Sequence, residues 1–310
     1  MVKTLYHYCN NIKAFSILES ATLRMSDVRK SNDYNELQLF FPDILETVWE
    51  KGRKQEKLNI HFNNEQGVDA LGIILNETHR AIEQELNSGS FSNFVVCFSE
   101  KGDSLSQWRG YADDGQGCSI GYSLQWLKNK VHTAKIKLRL EKVKYISLKQ
   151  FDELMDKEAD RLLDILQDIY QWAIDPEEEI NNVDEALIYN FKREVFDLIS
   201  DSLKYKMNGF SEENEWRLFF ANQVHKTGWE YVSDERDFGF ILDKLDFNIT
   251  NDDLVAFYPI EFKNEEDNAV VGIVLGPNNN ISYSDLNLFL KKHKYLTTDC
   301  STSSISYRKK

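Results

Sequence analysis

The sequence predicts an α+β fold with a mixed or antiparallel β-sheet and a helical insertion or flanking helical layer. Apolar runs of strand length lie near the start, in the middle and in the last third of the chain. Segments with the apolar spacing of helices lie between them, and the longest such region covers 148–207. Strands and helices are grouped and do not alternate strictly, which argues against a doubly wound parallel sheet.

The individual elements follow from hydrophobic periodicity and from capping or turn residues. In the first third we expect a strand at 5–8, a helix at 12–18, a strand at 22–26, a capped helix at 31–49 and a helix at 68–86. Further extended segments are expected at 94–99, 117–122, 135–146, 216–221, 238–242, 254–258, 270–275 and 303–307, with helices at 105–112 and 283–293.

No stretch rich in proline, glycine and serine divides the chain, and no segment is repeated. A chain of 310 residues can bury a large core, so we expect one domain over 1–310. Two or three helices at about 148–210 would form an insertion in that domain or a layer on it.

The net charge of −14 argues against a protein that coats nucleic acid, because phosphate binding depends on clustered Lys and Arg. One local exception is the segment 135–140, where Lys135, Lys137 and Arg139 alternate with aliphatic residues. This pattern predicts a half-buried strand with a cationic outer face. We favour an edge strand kept soluble by lysines over a nucleic-acid groove.

The cysteines Cys9, Cys97, Cys118 and Cys300 are far apart in the sequence and form no Cys-x-x-Cys pair. Neither a zinc knuckle nor a disulfide framework is indicated, and reduced thiols in a cytoplasmic protein fit best. The first residues lack the apolar core of a signal peptide, and no apolar run approaches the ~20 residues that span a bilayer. We therefore expect a soluble cytoplasmic protein without a membrane partner.

No nucleotide-binding glycine loop or His-Glu-x-x-His motif occurs in the sequence, and Gly117-Cys118-Ser119-Ile120-Gly121 is expected to be a strand and not a nucleophile elbow. Polar and aromatic residues cluster instead at 6–8, 99–114 and 213–217. Each cluster also has a purely structural interpretation. His7 between two tyrosines can be a hydrogen-bonded structural residue, and Arg109 can form a weak surface bridge with Asp113 or Asp114.

The third cluster is the most informative. If the run after Asn214 is a strand, its period of two places Glu213, Glu215 and Arg217 on one face. The apolar residues Trp216, Leu218 and Phe220 then share the opposite face. Two acids and an arginine in one space can hold a sugar hydroxyl, stabilise a cationic transition state or form ion pairs.

Taken together, the clusters resemble a bacterial family catalogued as domain of unknown function 2971. The resemblance runs nearly end to end and covers 148–207 least. It is carried by Leu5-Tyr6-His7-Tyr8, Ser31-Asn32-Asp33 with Glu36, Cys97-Phe98-Ser99-Glu100, the run from Ser106 to Asp113, Gly117-Cys118-Ser119-Ile120-Gly121-Tyr122, Glu213-Asn214-Glu215-Trp216-Arg217 and Ser306-Tyr307-Arg308.

That family is in turn similar to a remote branch of the ADP-ribosyltransferase superfamily, with relatives linked to phage defence and toxins. The resemblance implies a split mixed β-sheet that grips NAD as a substrate, without a metal. It implies that Glu215 is the catalytic carboxylate with Glu213 as its helper, and that His7 holds a ribose of NAD. Tyr111 is the expected middle catalytic residue, with Ser99 as the other candidate for that position.

The remaining expected NAD contacts include the arginines, whose planar guanidinium groups suit a pyrophosphate. The full set of residues expected to bind NAD is His7, Tyr8, Ser99, Trp108, Arg109 and Arg217.

The resemblance therefore implies an NAD-dependent ADP-ribosyltransferase that modifies a protein or nucleic-acid acceptor in antiphage defence or as a toxin. A neutralising partner is compatible with such a role. One alternative is a non-catalytic module that senses a nucleotide or a phage component. The second alternative is a Mg²⁺-dependent nuclease, for which the hard oxygen ligands would come from Asp33, Glu36, Asp113, Asp114 and Glu215.

Overall fold

The computed structural model describes residues 2–30, 43–54, 70–88, 91–173, 183–227, 230–233, 244–250, 253–263 and 268–307. Some sequence predictions fall on other residues. The cap at 31–33 with Asp33 and Glu36, the strand at 238–242 and Arg308 lie outside the described residues.

The strands in the described segments are β1 (Thr4–Cys9), β2 (Thr22–Asp27), β3 (Phe91–Ser99), β4 (Cys118–Ser123), β5 (Arg139–Lys142), β6 (Lys144–Ile146), β7 (Tyr205–Met207), β8 (Glu215–Thr227), β9 (Glu230–Ser233), β10 (Asp246–Thr250), β11 (Asp253–Glu261), β12 (Val270–Leu275) and β13 (Asp299–Thr302). The helices are α1 (Asn11–Ser20), α2 (Asp43–Lys54), α3 (Ala70–Ser88), α4 (Leu105–Tyr111), α5 (Leu124–Thr133), α6 (Leu148–Ala173), α7 (Val183–Asp201) and α8 (Tyr283–Lys292).

The chain forms two compact units. The first, here called the sheet unit, comprises 1–31, 93–144 and 209–310, and the second, the helical unit, comprises 32–92 and 145–208. Of the helical region expected at 148–210, residues 148–208 lie in the helical unit and 209–210 in the sheet unit. The expectation of one domain over 1–310 stays a prediction, because compactness does not show which parts fold independently.

The sheet unit is built on one large mixed sheet with the strand order β10-β11-β2-β3-β1-β4-β12-β13. Strand β1 is antiparallel to both of its neighbours, β3 and β4, whereas β12 and β13 run parallel. Strand β8 pairs with β3 outside this order and also carries β5 and β9. The α+β class with a mixed sheet is therefore confirmed.

Apolar side chains recur at every second position along the strands and form the core of the sheet unit. Phe94, Val96 and Phe98 of β3 belong to this core, as do Leu218 and Phe220 of β8. Burial of each such side chain contributes about 1.5–3 kcal/mol. The apolar face expected at Trp216, Leu218 and Phe220 is thus in the core or packed against it.

The helical unit buries one stripe on each of its long helices. The residues Ala159, Leu162, Leu163 and Leu166 of α6 recur at a spacing of three or four and are all fully or almost fully buried. Helix α6 packs against α2 and α7, and α3 packs against α7. Strands β6 and β7 pair with each other, so the helical pattern expected up to 207 ends earlier, at Asp201.

No helix within the described segments combines the length and the apolar character needed to cross a membrane.

Two extended predictions were wrong in detail. The segment 135–138 has the expected buried aliphatic and exposed lysine positions, but a strand begins only at Arg139, where pairing with β8 starts. The expected extended segment at 303–307 is not a strand, and the neighbouring strand β13 ends at Thr302. The side-chain oxygens of Asp103 accept hydrogen bonds from the hydroxyl of Ser303 and from the amide and hydroxyl of Ser304, so the amide of Ser304 does not join a strand ladder.

Gly117 is required by the close approach of backbone around the start of β4. A Cβ atom at this position would lie 2.2 Å from the backbone oxygen of Cys9. We expect Gly117→Ala to lower the free energy of unfolding by about 1–3 kcal/mol, because backbone has to move to relieve the overlap. Urea-induced unfolding followed by circular dichroism measures this change.

Gly110 provides the matched control, because a Cβ atom there meets nothing within 4 Å and the residue lies in helix α4. Gly110→Ala should leave stability unchanged or raise it by up to about 1 kcal/mol. Equal stability of the Gly117→Ala variant and the wild type would contradict the packing argument.

Candidate functional site

Three regions of the sheet unit that are far apart in the sequence meet at one cavity of about 60 Å³. Residues from β1, β3 and α4 line it together with residues at the start of β8. They are Tyr6, His7, Tyr8, Cys97, Phe98, Gln107, Tyr111, Glu213 and Glu215. The structure therefore brings together all four side chains that the sequence predicts to be catalytic.

Hydrogen bonds at the end of β3 place β8 beside this cavity. The hydroxyl of Ser99 donates to the backbone oxygen of Glu213 at 2.6 Å, and the amide of Glu100 donates to the backbone oxygen of Asn214 at 3.1 Å. On the same stretch of β3, Ser99 is also paired with Tyr6 of β1. The end of β3 thus holds β1 and the start of β8 in fixed positions.

Asn214 sets the geometry of the two acids. Its φ of 48° lies in the left-handed region, which asparagine tolerates better than most residues. Its side-chain amide donates to the backbone oxygen of Glu212 at 2.9 Å. Glu213 ends a 3₁₀ turn and Glu215 begins β8, so the expectation that both acids belong to one strand was wrong.

Glu215 forms a buried ion pair with Arg217. The guanidinium donates through Nε to one carboxylate oxygen at 2.8 Å and through Nη2 to the other at 3.1 Å. The side chains are only 6% and 2% exposed. Bidentate geometry strengthens such a pair, and a buried charge needs its partner. Arg217 was expected to clamp a pyrophosphate, but here its guanidinium holds Glu215 in place.

Glu213 has a neutral donor as a partner. The hydroxyl of Tyr111 donates to its Oε1 at 3.1 Å. Glu213 is 8% exposed, whereas Tyr111 is 37% exposed. Because Tyr111 both lines the cavity and reaches solvent, it lies where the cavity meets the surface.

His7 lies at the centre of β1, opposite Ile120 of β4. Its Nδ1 is 3.0 Å from the backbone oxygen of Cys97. A carbonyl oxygen only accepts, so Nδ1 carries the proton and Nε2 of the neutral ring is an acceptor. Burial lowers the pKa of His7, and the charge of Lys13 lowers it further, while the hydrogen bond to Cys97 acts in the opposite direction. The neutral ring is therefore favoured at pH 7.

Tyr8 and Ser99, two of the expected NAD contacts, have structural partners. The Tyr8 hydroxyl donates to the backbone oxygen of Lys101 at 2.8 Å and accepts from the amide of Ser104 at 3.1 Å. The Ser99 hydroxyl, besides its bond to Glu213, accepts from the amide of Lys101 at 3.2 Å. Their roles in NAD binding stay predictions, and in this arrangement both residues fix the loop after β3.

Trp108 and Arg109 are adjacent in α4 but differ in exposure. Trp108 is fully buried, packs at 4.7 Å against the ring of Tyr8 and donates from its indole nitrogen to Asp103 at 2.7 Å. In this structure its ring has no surface on which a ligand could stack. Arg109 is exposed and lies next to Tyr307. Neither residue lines the cavity, and their roles in NAD binding stay predictions.

Four residues that line the cavity were not singled out from the sequence as site residues: Tyr6, Cys97, Phe98 and Gln107. All four belong to the motifs that carry the family resemblance, which is the signal that could have identified them. Gln107 is buried, and its amide offers both donors and acceptors to a ligand.

The acids of the nuclease hypothesis do not form a group in the described part of the chain. Asp114 accepts from the hydroxyl of Tyr307 at 2.8 Å, and Glu215 is paired with Arg217. Among the described residues, no three His, Cys, Asp or Glu side chains come close enough to hold a metal ion. Asp33 and Glu36 lie outside that part of the chain.

The buried pair yields a test of stability. Glu215→Gln and Arg217→Met should each lower the free energy of unfolding by about 3–5 kcal/mol, because each removes one charge of a buried bidentate ion pair. The double variant should lose about 1–3 kcal/mol less than the sum of the single variants. Urea titration of the wild type and the three variants measures this coupling.

The exposed pair of Lys149 with Glu153 on α6 is the control, since such pairs contribute at most about 1 kcal/mol. If the stability losses of the Glu215 and Arg217 single variants sum to the loss of the double variant within about 0.5 kcal/mol, the two residues are not coupled.

Asp103 yields a test that depends on pH. Partial burial alone would raise the pKa of its carboxyl, but hydrogen bonds from Ser303, Trp108 and Ser304 outweigh this, and the pKa is lowered. The stabilisation is complete above the unfolded value of about 3.9 and is lost as the pH falls through the lower folded pKa. Asp103→Asn should lose about 1–2 kcal/mol at pH 7 and progressively less below pH 4.

Thermal unfolding of the Asp103→Asn variant and the wild type between pH 3 and 7 measures this difference. Asp299→Asn, at an exposed position on β13, is the control and should behave like the wild type. A loss for Asp103→Asn that is the same at every pH would argue against the ionised carboxylate as the acceptor.

Comparison with known proteins gives one match. Residues 107–218 match the model of a family described as "Protein of unknown function (DUF2971)". No curated protein and no solved structure matches the chain. The relation to ADP-ribosyltransferases stays a prediction. The match covers 112 of the 310 residues, in a segment that contains Tyr111, Glu213 and Glu215.

Proposed function

We propose that the protein is an NAD-dependent ADP-ribosyltransferase that modifies a protein or nucleic-acid acceptor, in antiphage defence or as a toxin. The observation that carries the proposal is the convergence of His7, Tyr111, Glu213 and Glu215 on one cavity. These residues come from three parts of the sequence that are about 100 positions apart from one to the next. They are also the residues that the family resemblance designates as catalytic.

The reaction breaks the bond between the nicotinamide nitrogen and C1 of the adjoining ribose, and the nicotinamide leaves with the bonding electrons. Positive charge then develops on the sugar, as it does in glycoside hydrolysis. Fixed carboxylates next to that carbon stabilise this charge. An oxygen or nitrogen of the acceptor bonds to C1 and releases its proton.

His7 is suited to hold a ribose hydroxyl. Its Nδ1 proton is committed to the backbone oxygen of Cys97, so Nε2 is an acceptor for a hydroxyl donor. The lowered pKa keeps the ring neutral and preserves this acceptor at pH 7. His7 therefore binds and orients in the proposal, and does not transfer a proton.

The two acids are held in different ways. Arg217 binds both carboxylate oxygens of Glu215 and fixes its orientation. The hydroxyl of Tyr111, at the solvent side of the cavity, donates to Oε1 of Glu213. We assign the stabilisation of the transition state to both carboxylates, with Glu215 as the catalytic carboxylate and Glu213 as its helper.

The cavity is small relative to NAD. Its volume of about 60 Å³ has room for one or two water-sized groups, whereas pockets that enclose small molecules have about 300–1,000 Å³. Only the reacting part of NAD would contact the cavity. Tyr111, at its solvent side, would then contact the nicotinamide, and the exposed Arg109 on the same helix is available to the phosphates.

The buried ion pair favours a second candidate function, a non-catalytic module that recognises a nucleotide or a phage component. In that case Glu215 and Arg217 serve stability, and the cavity only binds. Expression in a bacterial host separates the two candidates. Growth arrest by the wild type but not by Glu213→Gln supports the transferase.

Incubation of the purified protein and cell lysate with NAD labelled on the adenylate half tests the proposal. We expect transfer of label to a macromolecule together with release of nicotinamide. Glu213→Gln should lower the rate by about 100-fold, because removal of one group that stabilises a developing charge has this order of effect. Tyr111→Phe should lower it by about tenfold through loss of its hydrogen bond to Glu213.

Tyr283→Phe is the matched control, because Tyr283 is an exposed tyrosine at the start of α8 and does not line the cavity. It should retain the wild-type rate. Because Glu215→Gln is expected to lose stability, its rate is interpreted only at temperatures at which its circular dichroism matches that of the wild type. Absence of both label transfer and nicotinamide release from the wild type would reject the proposal.

A further inference from the structure

A second and larger cavity in the sheet unit shares no lining residue with the first. Its volume is about 750 Å³, within the range of pockets that enclose small molecules. Residues of three segments line it, namely 130–138, 244–246 and 258–261. We refer to it as the lysine cavity, after Lys130, Lys135 and Lys244 in its walls.

The cavity lies beside the part of β11 that extends beyond its pairing with β10. The pairing runs from Thr250 opposite Asp253 to Asp246 opposite Phe257, so 258–261 of β11 extends beyond it. On its other side this stretch of β11 is paired with β2. Pro259 lies in the part without a β10 partner, and a proline is tolerated where no ladder hydrogen bond is needed.

The three lysines form a local cationic site on an acidic chain. Lys130 is held in place, since its ammonium donates to the backbone oxygen of Glu261 at 3.0 Å and lies 5.3 Å from the centre of the Trp126 ring. In the described part of the chain, neither Lys135 nor Lys244 is paired with a carboxylate. With a net charge of −14 for the whole chain, this grouping favours an anionic ligand.

The rest of the lining is both apolar and acceptor-rich. Ile136, Leu138 and Ile260 contribute aliphatic surface. Tyr258 is half-buried, and burial raises its pKa, so its phenol stays neutral and its ring can contact a flat ligand. The carboxylates of Asp246 and Glu261 also line the cavity and can accept hydrogen bonds from hydroxyl or amino groups.

The combination of lysines, apolar surface and carboxylates in the lysine cavity favours some kinds of anion over others. Inorganic phosphate needs neither the aliphatic surface nor the volume, and the tail of a fatty acid would have to desolvate the two carboxylates. A nucleotide has phosphate for the lysines, a flat base for the aromatic and aliphatic surface, and hydroxyl and amino donors for the carboxylates. We propose that the lysine cavity binds a phosphate-bearing nucleotide, either free or as one unit of a single-stranded nucleic acid.

The lysine cavity gives a role to the alternation of cationic and aliphatic residues at 135–140. The large sheet alone does not require this alternation. Lys135 faces the cavity, while Ile136 and Leu138 are buried in the core of the sheet unit. Lys137 is exposed and does not line the cavity. Two lysines of the same local pattern therefore differ in whether they can contact the ligand.

Calorimetric titration of the full chain tests the proposal, with AMP, adenosine, inorganic phosphate and an oligothymidylate of about ten nucleotides as probes. AMP should bind at least about tenfold more tightly than adenosine or phosphate. Tighter binding of the oligonucleotide than of AMP would identify single-stranded nucleic acid as the ligand. Equal or weaker binding of the oligonucleotide would identify a free nucleotide as the ligand. Both results support the proposal.

The charge-reversal variant Lys135→Glu/Lys244→Glu should weaken the binding of the preferred probe by at least about tenfold. The dependence of its affinity on salt concentration should not become steeper than that of the wild type. Lys137→Glu is the matched control and should bind within about twofold of the wild type. All these lysines are exposed, so the variants are expected to fold, which thermal unfolding verifies.

Three results would overturn the proposal: no binding of AMP or oligonucleotide by the wild type, phosphate binding as tightly as AMP, or an equal loss in Lys137→Glu. The titration needs no turnover of NAD. Its outcome is therefore independent of the transferase proposal, which can fail or hold separately.

Discussion

The candidate site depends on the hydrogen bonds that join the end of β3 to the turn before β8. Ser99 and Glu213 are 114 positions apart in the chain, yet the hydroxyl of one bonds to the backbone of the other. The same end of β3 pairs with β1, which carries His7. The convergence of the predicted catalytic residues therefore follows from the strand order of the sheet, and burial of the apolar strand faces offsets the entropy of closing such long loops.

Periodicity in the sequence was sufficient to predict the strands that carry the site and the face on which their side chains lie. Leu218 and Phe220 are in the core, as expected, because a period of two leaves no other arrangement for a strand with one buried face. The left-handed conformation of Asn214 was not predictable from such a pattern. In that conformation the backbone oxygen of Asn214 accepts from the amide of Glu100, which is distant in sequence.

Other differences between the sequence prediction and the structure have the same origin, because side chains form hydrogen bonds with residues that are distant in sequence. The segment after Thr302 has the pattern of a strand, but the carboxylate of Asp103 accepts hydrogen bonds from the hydroxyl of Ser303 and the amide of Ser304. Trp108 stands in a polar, aromatic run that is typical of a ligand contact. Its indole nitrogen is satisfied by the same aspartate, which lets the ring be fully buried. A buried polar group needs a partner, but the sequence does not reveal which one.

The strand order also has a consequence for the rate at which the sheet can form. Strand β2 pairs with β11, so that Thr22 lies opposite Glu261, and β1 pairs with β4 over a separation of more than 100 residues. Contacts so distant in sequence have to wait for loop closure, and folding slows as their share increases. We therefore expect the hydrogen-bonding edge of β2 that pairs with β11 to stay unpaired in a nascent chain until β11 has been synthesised, and the chain to rely on chaperones during that interval.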